Sequence, residues 1–208
     1  MKRNKLMIAA TAGLLGLTAL GGTVATAQSS SNSDDAAEVQ AFLKSTTSIT
    51  QAIQTAESES GGVAVNAEFD NSKSGPFYEV DTVNGDKLAS VKIDAASGSV
   101  TQSQDEGVLS QNSGEDDDDI SADQVTMKLA DVVSKAEAQS GSKVMAVGYE
   151  AEDGTAKSVE IELASADGKT QVMALDPATG KMTAVADTEG NGDNDQGGND
   201  EGNEENEG

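Results

Sequence analysis

Two stretches of the chain, eighty positions apart, carry the same order of apolar and polar residues. In the first, Ile49, Ala52, Ile53 and Ala56 recur at i, i+3, i+4 and i+7; in the second, Leu129, Val132, Val133 and Ala136 do so. That spacing is the single apolar stripe of a three-turn amphipathic helix. Ser48 stands where an N-cap would accept the first free backbone N–H. Gly61 and Gly141 stand where a helix ends in the left-handed conformation. Upstream, Val39, Phe42 and Leu43 within 34–44 predict a further helical turn or two.

Past each glycine the period drops from 3.6 to 2. Val63, Val65, Ala67 and Phe69 alternate with polar or small residues, as do Met145, Val147 and Tyr149. Half-buried strands have this pattern. A polar turn follows in each copy, at 71–76 and 152–157. Next comes a second strand, with Tyr78 and Val80 facing inward in one copy and Val159, Ile161 and Leu163 in the other. Asn84-Gly85 and Asp167-Gly168 are hairpin signals that tolerate positive φ. The third strands carry Val91 and Ile93, then Met173 and Leu175. They close on Asp94-Ala-Ala-Ser-Gly98 and Asp176-Pro-Ala-Thr-Gly180, and a short fourth strand is expected around Val100 and Met182.

This order predicts an α+β protein of two small two-layer modules, each one helix packed on a 3–4-stranded antiparallel sheet. The expected boundaries are 28–44 for a partly helical N-terminal segment, 45–102 for module 1 and 125–186 for module 2. Between and after the modules, 103–124 reads as an acidic disordered linker and 187–208 as an acidic disordered tail. These two segments hold 17 of the 37 acidic residues, with no lysine or arginine and few apolar residues. Such segments bury too little surface to offset the entropy of ordering. Modules this small, without a disulfide or metal, have little stability to spare.

Residues 1–27 are different in kind. Lys2, Arg3 and Lys5 precede an apolar run from Leu6 to Leu20, and Ala25-Thr26-Ala27 puts small residues before Gln28. This is the pattern of a secretory signal peptide cleaved between Ala27 and Gln28. The run, at about 15 residues, is shorter than the roughly 20 that span a bilayer. The expected location is periplasmic or secreted, with no membrane association after cleavage. The remainder would carry ten lysines against 37 acids, a net charge of −27. A surface this negative repels phosphate backbones, which excludes nucleic acid as a partner. The chain has no Cys and no His. Disulfides, thiolate chemistry and imidazole chemistry are therefore out.

The helix stripes with Ala56-Glu57 and Ala136-Glu137, then Gly61 and Gly141, resemble the PepSY domain, here twice in tandem. So do Tyr78-Glu79-Val80 with Val159-Glu160-Ile161, and the closing Asp94–Gly98 and Asp176–Gly180 turns. Two departures stand out: copy two has Val159 where copy one has Tyr78, and copy one has Ser97 and Ser99 around its closing glycine. The resemblance implies a non-enzymatic module without catalytic residues. It further implies a protein partner, a peptidase near the cell envelope being the candidate, that is bound or restrained.

Other features have plainer readings. The Asp94–Gly98 and Asp176–Gly180 turns read as turn chemistry. The tail run Asp193–Glu204 imitates a calcium loop, but Gly197 and Asp200 break the pattern, so only weak association of divalent cations is expected. Asp116–Asp119 reads as a solvated spacer. Glu160 and Glu162, alternate residues on an outward strand face, are expected to be solvated and ionised. No catalytic residue, metal ligand or cofactor is predicted. The expected function is binding of a protein partner through a sheet face or edge, with modulation of an envelope peptidase. The alternative is an acidic, solvating or weakly cation-associating envelope protein.

Overall fold

The computed structural model describes residues 33–109, 120–152 and 155–185. The expected cleavage site at Ala27 and Gln28, the Asp116–Asp119 run and the tail lie outside these. The elements run α1 (Ser33–Phe42), α2 (Ile49–Ser60), β1 (Val63–Ser72), β2 (Gly75–Asn84), β3 (Lys87–Asp94) and β4 (Val100–Val108). A 3-10 turn at Ala122–Gln124 leads into α3 (Leu129–Ser140), β5 (Lys143–Glu152), β6 (Thr155–Ala164), β7 (Thr170–Leu175) and β8 (Met182–Ala184).

The two helix-on-sheet units, whose docking the sequence leaves open, are joined. All eight strands form one antiparallel sheet in the order β4-β3-β2-β1-β5-β6-β7-β8. The halves join where β1 pairs with β5, through Asn66↔Gly148, Ala67↔Val147 and Glu68↔Ala146. Ala67 and Val147 are eighty positions apart and face each other directly. The repeat offset and the seam register therefore agree, and the two halves meet as the halves of an isologous dimer do, around a local two-fold at that pair. The reason lies in the strands themselves. An isolated three- or four-stranded sheet would leave β1 and β5 as bare edges. Joining them pairs both edges and merges two small cores into one cluster, from Phe42, Ile53 and Val80 to Val133, Val147 and Ile161.

Both main helices form as their stripes predict. Ile49, Ala52, Ile53 and Ala56 are buried on α2, and Leu129, Val132, Val133 and Ala136 on α3. Ser48 caps α2 with a reciprocal Ser48–Gln51 capping box, whereas α3 starts at Lys128 with no side-chain cap. Gly61 and Gly141 adopt φ near 70° and donate back to the Glu57 and Glu137 carbonyls, closing each helix. On α1, Val39 and Phe42 are buried, and the Phe42 ring meets Phe69 edge-on at 5.4 Å.

Besides irregularities at Leu88/Ala89, Lys92/Ile93 and Glu150/Ala151, the strand phase departs from strict alternation at a matching place near the start of β1 and of β5. The β1–β2 register shifts between Ala64 and Asn66, leaving Val65 as the extra residue; the β5–β6 register shifts between Val144 and Ala146, leaving Met145. Ala64 and Val144 thus take the inward place the alternation assigned to their neighbours, and both are fully buried. These paired bulges explain the Ala-Glu motif of the helices. Glu57 Oε1 accepts the Ala64 N–H at 3.2 Å, and Glu137 Oε1 accepts the Val144 N–H at 3.3 Å. Each glutamate satisfies a backbone donor beside a bulge, where the ladder is locally disrupted.

The first-half hairpin loop is Gly85-Asp86, one residue beyond the expected pair, with Asn84↔Lys87 closing it. The expected turns at 71–76 and 152–157 are tighter than their polar composition suggests, since strand pairing runs to Ser72↔Gly75 and Glu152↔Thr155. The span expected to be a linker, 103–124, is structured at both ends. Strand β4 runs to Val108, and Ile120, 5% exposed, joins the core. Residues 110–119 lie outside the described set.

Candidate functional site

Because side chains alternate along each strand, the sheet presents a second face, turned away from α2 and α3. Cross-strand pairing fixes what stands in each row of that face. One row crosses all eight strands as Gln104, Ser90, Asp81, Asn66, Gly148, Glu160, Ala174 and Thr183. The next runs Gln102, Lys92, Glu79, Glu68, Ala146, Glu162 and Val172. The centre of this face is acidic, and Lys92 is the one cation in the two rows.

Its carboxylates do not behave alike. Glu79 holds Lys92 Nζ at 2.9 Å through Oε2 and accepts the Ser90 hydroxyl through Oε1 at 3.0 Å. Lys92 also lies 4.5 Å over the Phe77 ring, a cation–π contact. Glu160, directly opposite Ala174 and Gly148, is only 6% exposed, and its Oε1 has no hydrogen-bond partner among the described residues. Burial, then the charges of Glu150 and Glu162, push its carboxyl up to about 7. The expectation that Glu160 is solvated is therefore overturned, and it ionises less readily than an exposed glutamate; Glu162 is partly exposed, closer to that expectation. Nothing in the alternation distinguished the two. What separates them is the pairing register, which the sequence pattern does not carry. Glu68, opposite Glu79, is also raised to about 7, by burial first and then by Glu79, Asp81, Asp70 and Glu38.

The closing turns do what turn chemistry predicts. Asp94 Oδ1 accepts the Ser97 N–H and hydroxyl, both at 2.7 Å. Asp176 Oδ1 accepts the Ala178 and Thr179 N–H groups at 2.8 and 3.1 Å. These bonds stabilise the carboxylates and lower both pKa values. Gly98 and Gly180 sit at φ near 70° and donate back to the aspartate carbonyls. In the first half only, the turn is also tied to the segment before α2. Ser45 Oγ and the Thr47 N–H donate to the Ala95 carbonyl, and Thr46 Oγ1 donates to that of Ala96. A shallow polar groove between α2 and this turn, lined by Thr46, Gln51, Thr55, Ser97 and Val100, results.

The third feature is β4. It is an edge strand nine residues long, and Thr101 to Asp105 are exposed in an unbroken run. The opposite edge, β8, has three residues. Among the described residues, no cluster of three or more acidic side chains is arranged to hold a metal, and no helix is long and apolar enough to cross a membrane.

Residues 48–103 match the PepSY family, described as peptidase propeptide and YPEB domain. A PepSY domain is thus present from the N-cap of α2 into β4. Proteins of this family are generally non-catalytic and propeptide-like or inhibitor-like. In the crystal structure of a candidate lipoprotein from Clostridium difficile 630, 94% of that chain aligns with 69% of this one, at 16% identity and a TM-score of 0.41. No curated protein is detectably similar to the chain.

Proposed function

We propose that this is a non-enzymatic, extracytoplasmic protein whose two halves are both PepSY-like, and that it binds a protein partner, an envelope peptidase, by strand addition along β4. The observation that carries this reading is the nine-residue open edge at the end of the detected domain. An extended peptide laid against such an edge gains main-chain hydrogen bonds without needing a special side chain. The second half supports the tandem reading through its repeated helix, αL glycine, bulge, glutamate cap and Asp-x-x-Thr-Gly turn. The signal-peptide pattern at 1–27 and the family's association with peptidases support an address outside the cytoplasm.

The test uses backbone polarity. Successive residues of a strand point their N–H and C=O groups to opposite edges. Of Gln102→Pro and Ser103→Pro, one removes an outward N–H and the other a bond to β3. A photo-crosslinker at Gln104 should capture a peptidase in host cells. The outward proline should abolish capture while leaving the melting temperature within a few degrees. If neither proline changes capture, or if no secreted peptidase activity changes when the gene is deleted, the reading fails.

A further inference from the structure

The local two-fold places Glu160 in the second half where Glu79 stands in the first. In the first half the chain supplies everything Glu79 needs, from Lys92 and Ser90. In the second half none of the corresponding residues carries a polar side chain of its own. Ala174 stands in the place of Lys92, and Val172 in the place of Ser90. On the other flank Gly148 stands in the place of Glu68. Glu160 is nonetheless enclosed, with an oxygen that no described group reaches. Its flanks in the row are the smallest residues available, and the Asn66 side chain leans across Gly148, its Oδ1 2.6 Å from where a Cβ would stand there. A buried carboxylate oxygen without a donor is costly to keep, and low polarity around it strengthens any cation that arrives.

We infer that the face around Glu160 receives a lysine or arginine side chain from a protein partner, in the place that Lys92 fills on Glu79. Glu150 and Glu162 lie on the same face of β5 and β6, and their field draws a cation toward this point. A divalent metal is a poorer occupant. Calcium and magnesium need six or more oxygen ligands, whereas Gly148, Ala174 and Val172 offer no side-chain oxygen. The site is separate from the β4 edge, five strands away in the sheet, so each can fail without the other.

The experiment is an NMR titration of the purified protein at low ionic strength with a short peptide of alternating Lys and Thr. The same peptide with acetylated lysines and calcium chloride alone serve as parallel titrants. The wild type should show saturable shifts at the Gly148, Glu160 and Ala174 amides with the lysine peptide and not with its acetylated form. Glu160→Gln removes the acceptor, and Ala174→Lys supplies an internal cation; each should weaken binding about tenfold, the size of one charge-assisted contact. Asp123→Asn, which changes net charge by the same amount at an exposed site, should leave affinity unaltered. Lys92→Ala should open a second set of shifts around Glu79. Melting curves check that each variant folds, and Ala174→Lys keeps the test intact if Glu160→Gln does not. The inference is overturned if both site variants bind like the wild type, if the acetylated peptide binds equally, or if calcium alone shifts these amides and excludes the peptide.

Discussion

The two halves solve the same local problem with different residues, and the clearest case is the tether before each helix. In the first half Tyr78 on β2 donates its hydroxyl to the Thr47 carbonyl at 2.7 Å. In the second half Tyr149 on β5 donates to the Met127 carbonyl at 2.6 Å and accepts the Met127 N–H at 2.9 Å. Thr47 and Met127 are eighty positions apart, each two residues ahead of its helix. The tyrosines are not equivalent, since Tyr149 occupies the place of Phe69 and Val159 that of Tyr78. One hydroxyl per half reaches the same backbone point from a different strand. Val159 needs no hydroxyl there, because that of Tyr149, one strand over, already reaches the Met127 carbonyl. What the fold requires is a donor at that carbonyl, not an aromatic at a given position.

The opposite lesson comes from Glu79 and Glu160, equivalent residues with unequal surroundings. Here the residue is the same and its neighbours differ, so the position is satisfied in one half and left with an unmatched oxygen in the other. Equivalent places in the sheet need not be equivalently satisfied.

The strongest way to break this comparison is to ask whether the halves unfold separately. Ile53 and Ile161 are both fully buried, one in each half. Truncation of such a side chain to alanine costs about 2–5 kcal/mol. In one merged core, Ile53→Ala and Ile161→Ala should each lower the melting temperature seen at Tyr78 and at Tyr149 together, by about 5–20 degrees for a domain of this size. Two transitions, with each variant moving only the tyrosine of its own half, would return the molecule to two independent modules and remove the β1–β5 seam from its energetics.

That seam is also where the sequence fell silent. The helix stripes, their glycine ends, the strand count and the closing turns were legible because each is a local pattern of apolar spacing or turn chemistry. Ala67 and Val147 are small apolar residues on strands whose alternation is the same whether the edge is bare or paired. No local signal says that one strand will find its own copy. The bulges at Val65 and Met145 were hidden for a related reason. Both fall in runs of consecutive apolar or small residues, Val63-Ala-Val65 and Val144-Met-Ala-Val147, where a one-residue shift leaves the pattern intact. The burial of Glu160 was out of reach as well, because it depends on which residues of β5 and β7 stand opposite.

The tyrosine tethers sharpen the comparison with a smaller effect. Replacing Tyr149 by Phe leaves the Met127 N–H and carbonyl both without their partner, whereas Tyr78→Phe leaves a Thr47 carbonyl within 2.8 Å of the Ser45 hydroxyl, which it shares with the Ala95 carbonyl. An unmet buried polar group costs about 1–3 kcal/mol. Tyr149→Phe should therefore destabilise by about 2 kcal/mol and Tyr78→Phe by about half of that, as measured by urea unfolding. Equal losses would mean that the two tethers are interchangeable and that the extra bond at Tyr149 contributes nothing.

The last comparison is a dependence on pH that the acidic face imposes. Glu68 and Glu160 titrate near 7 in the fold against an ordinary 4.5, so between these values the native state holds protons that the unfolded chain has released. Where the native state binds more protons, stability falls as pH rises. The contribution of these two groups is complete below about pH 4.5 and is lost through pH 7. Asp94, Asp167 and Asp176 have the opposite sign, but their pKa values are lowered, to about 2 for Asp167, so they stay ionised throughout this window. The melting temperature should thus be higher at pH 5 than at pH 8. The groups acting on Glu160 are Glu150 and Glu162, and those on Glu68 are Glu79, Asp81, Asp70 and Glu38. Glu160→Gln keeps the shape, removes one titration and should roughly halve the difference between the two pH values. Glu162→Gln, at a partly exposed site on the same strand, should change it far less. A wild-type protein whose stability rises from pH 5 to pH 8 would show that both carboxylates are ionised and matched in the folded state, and the asymmetry between Glu79 and Glu160 would then have no energetic consequence.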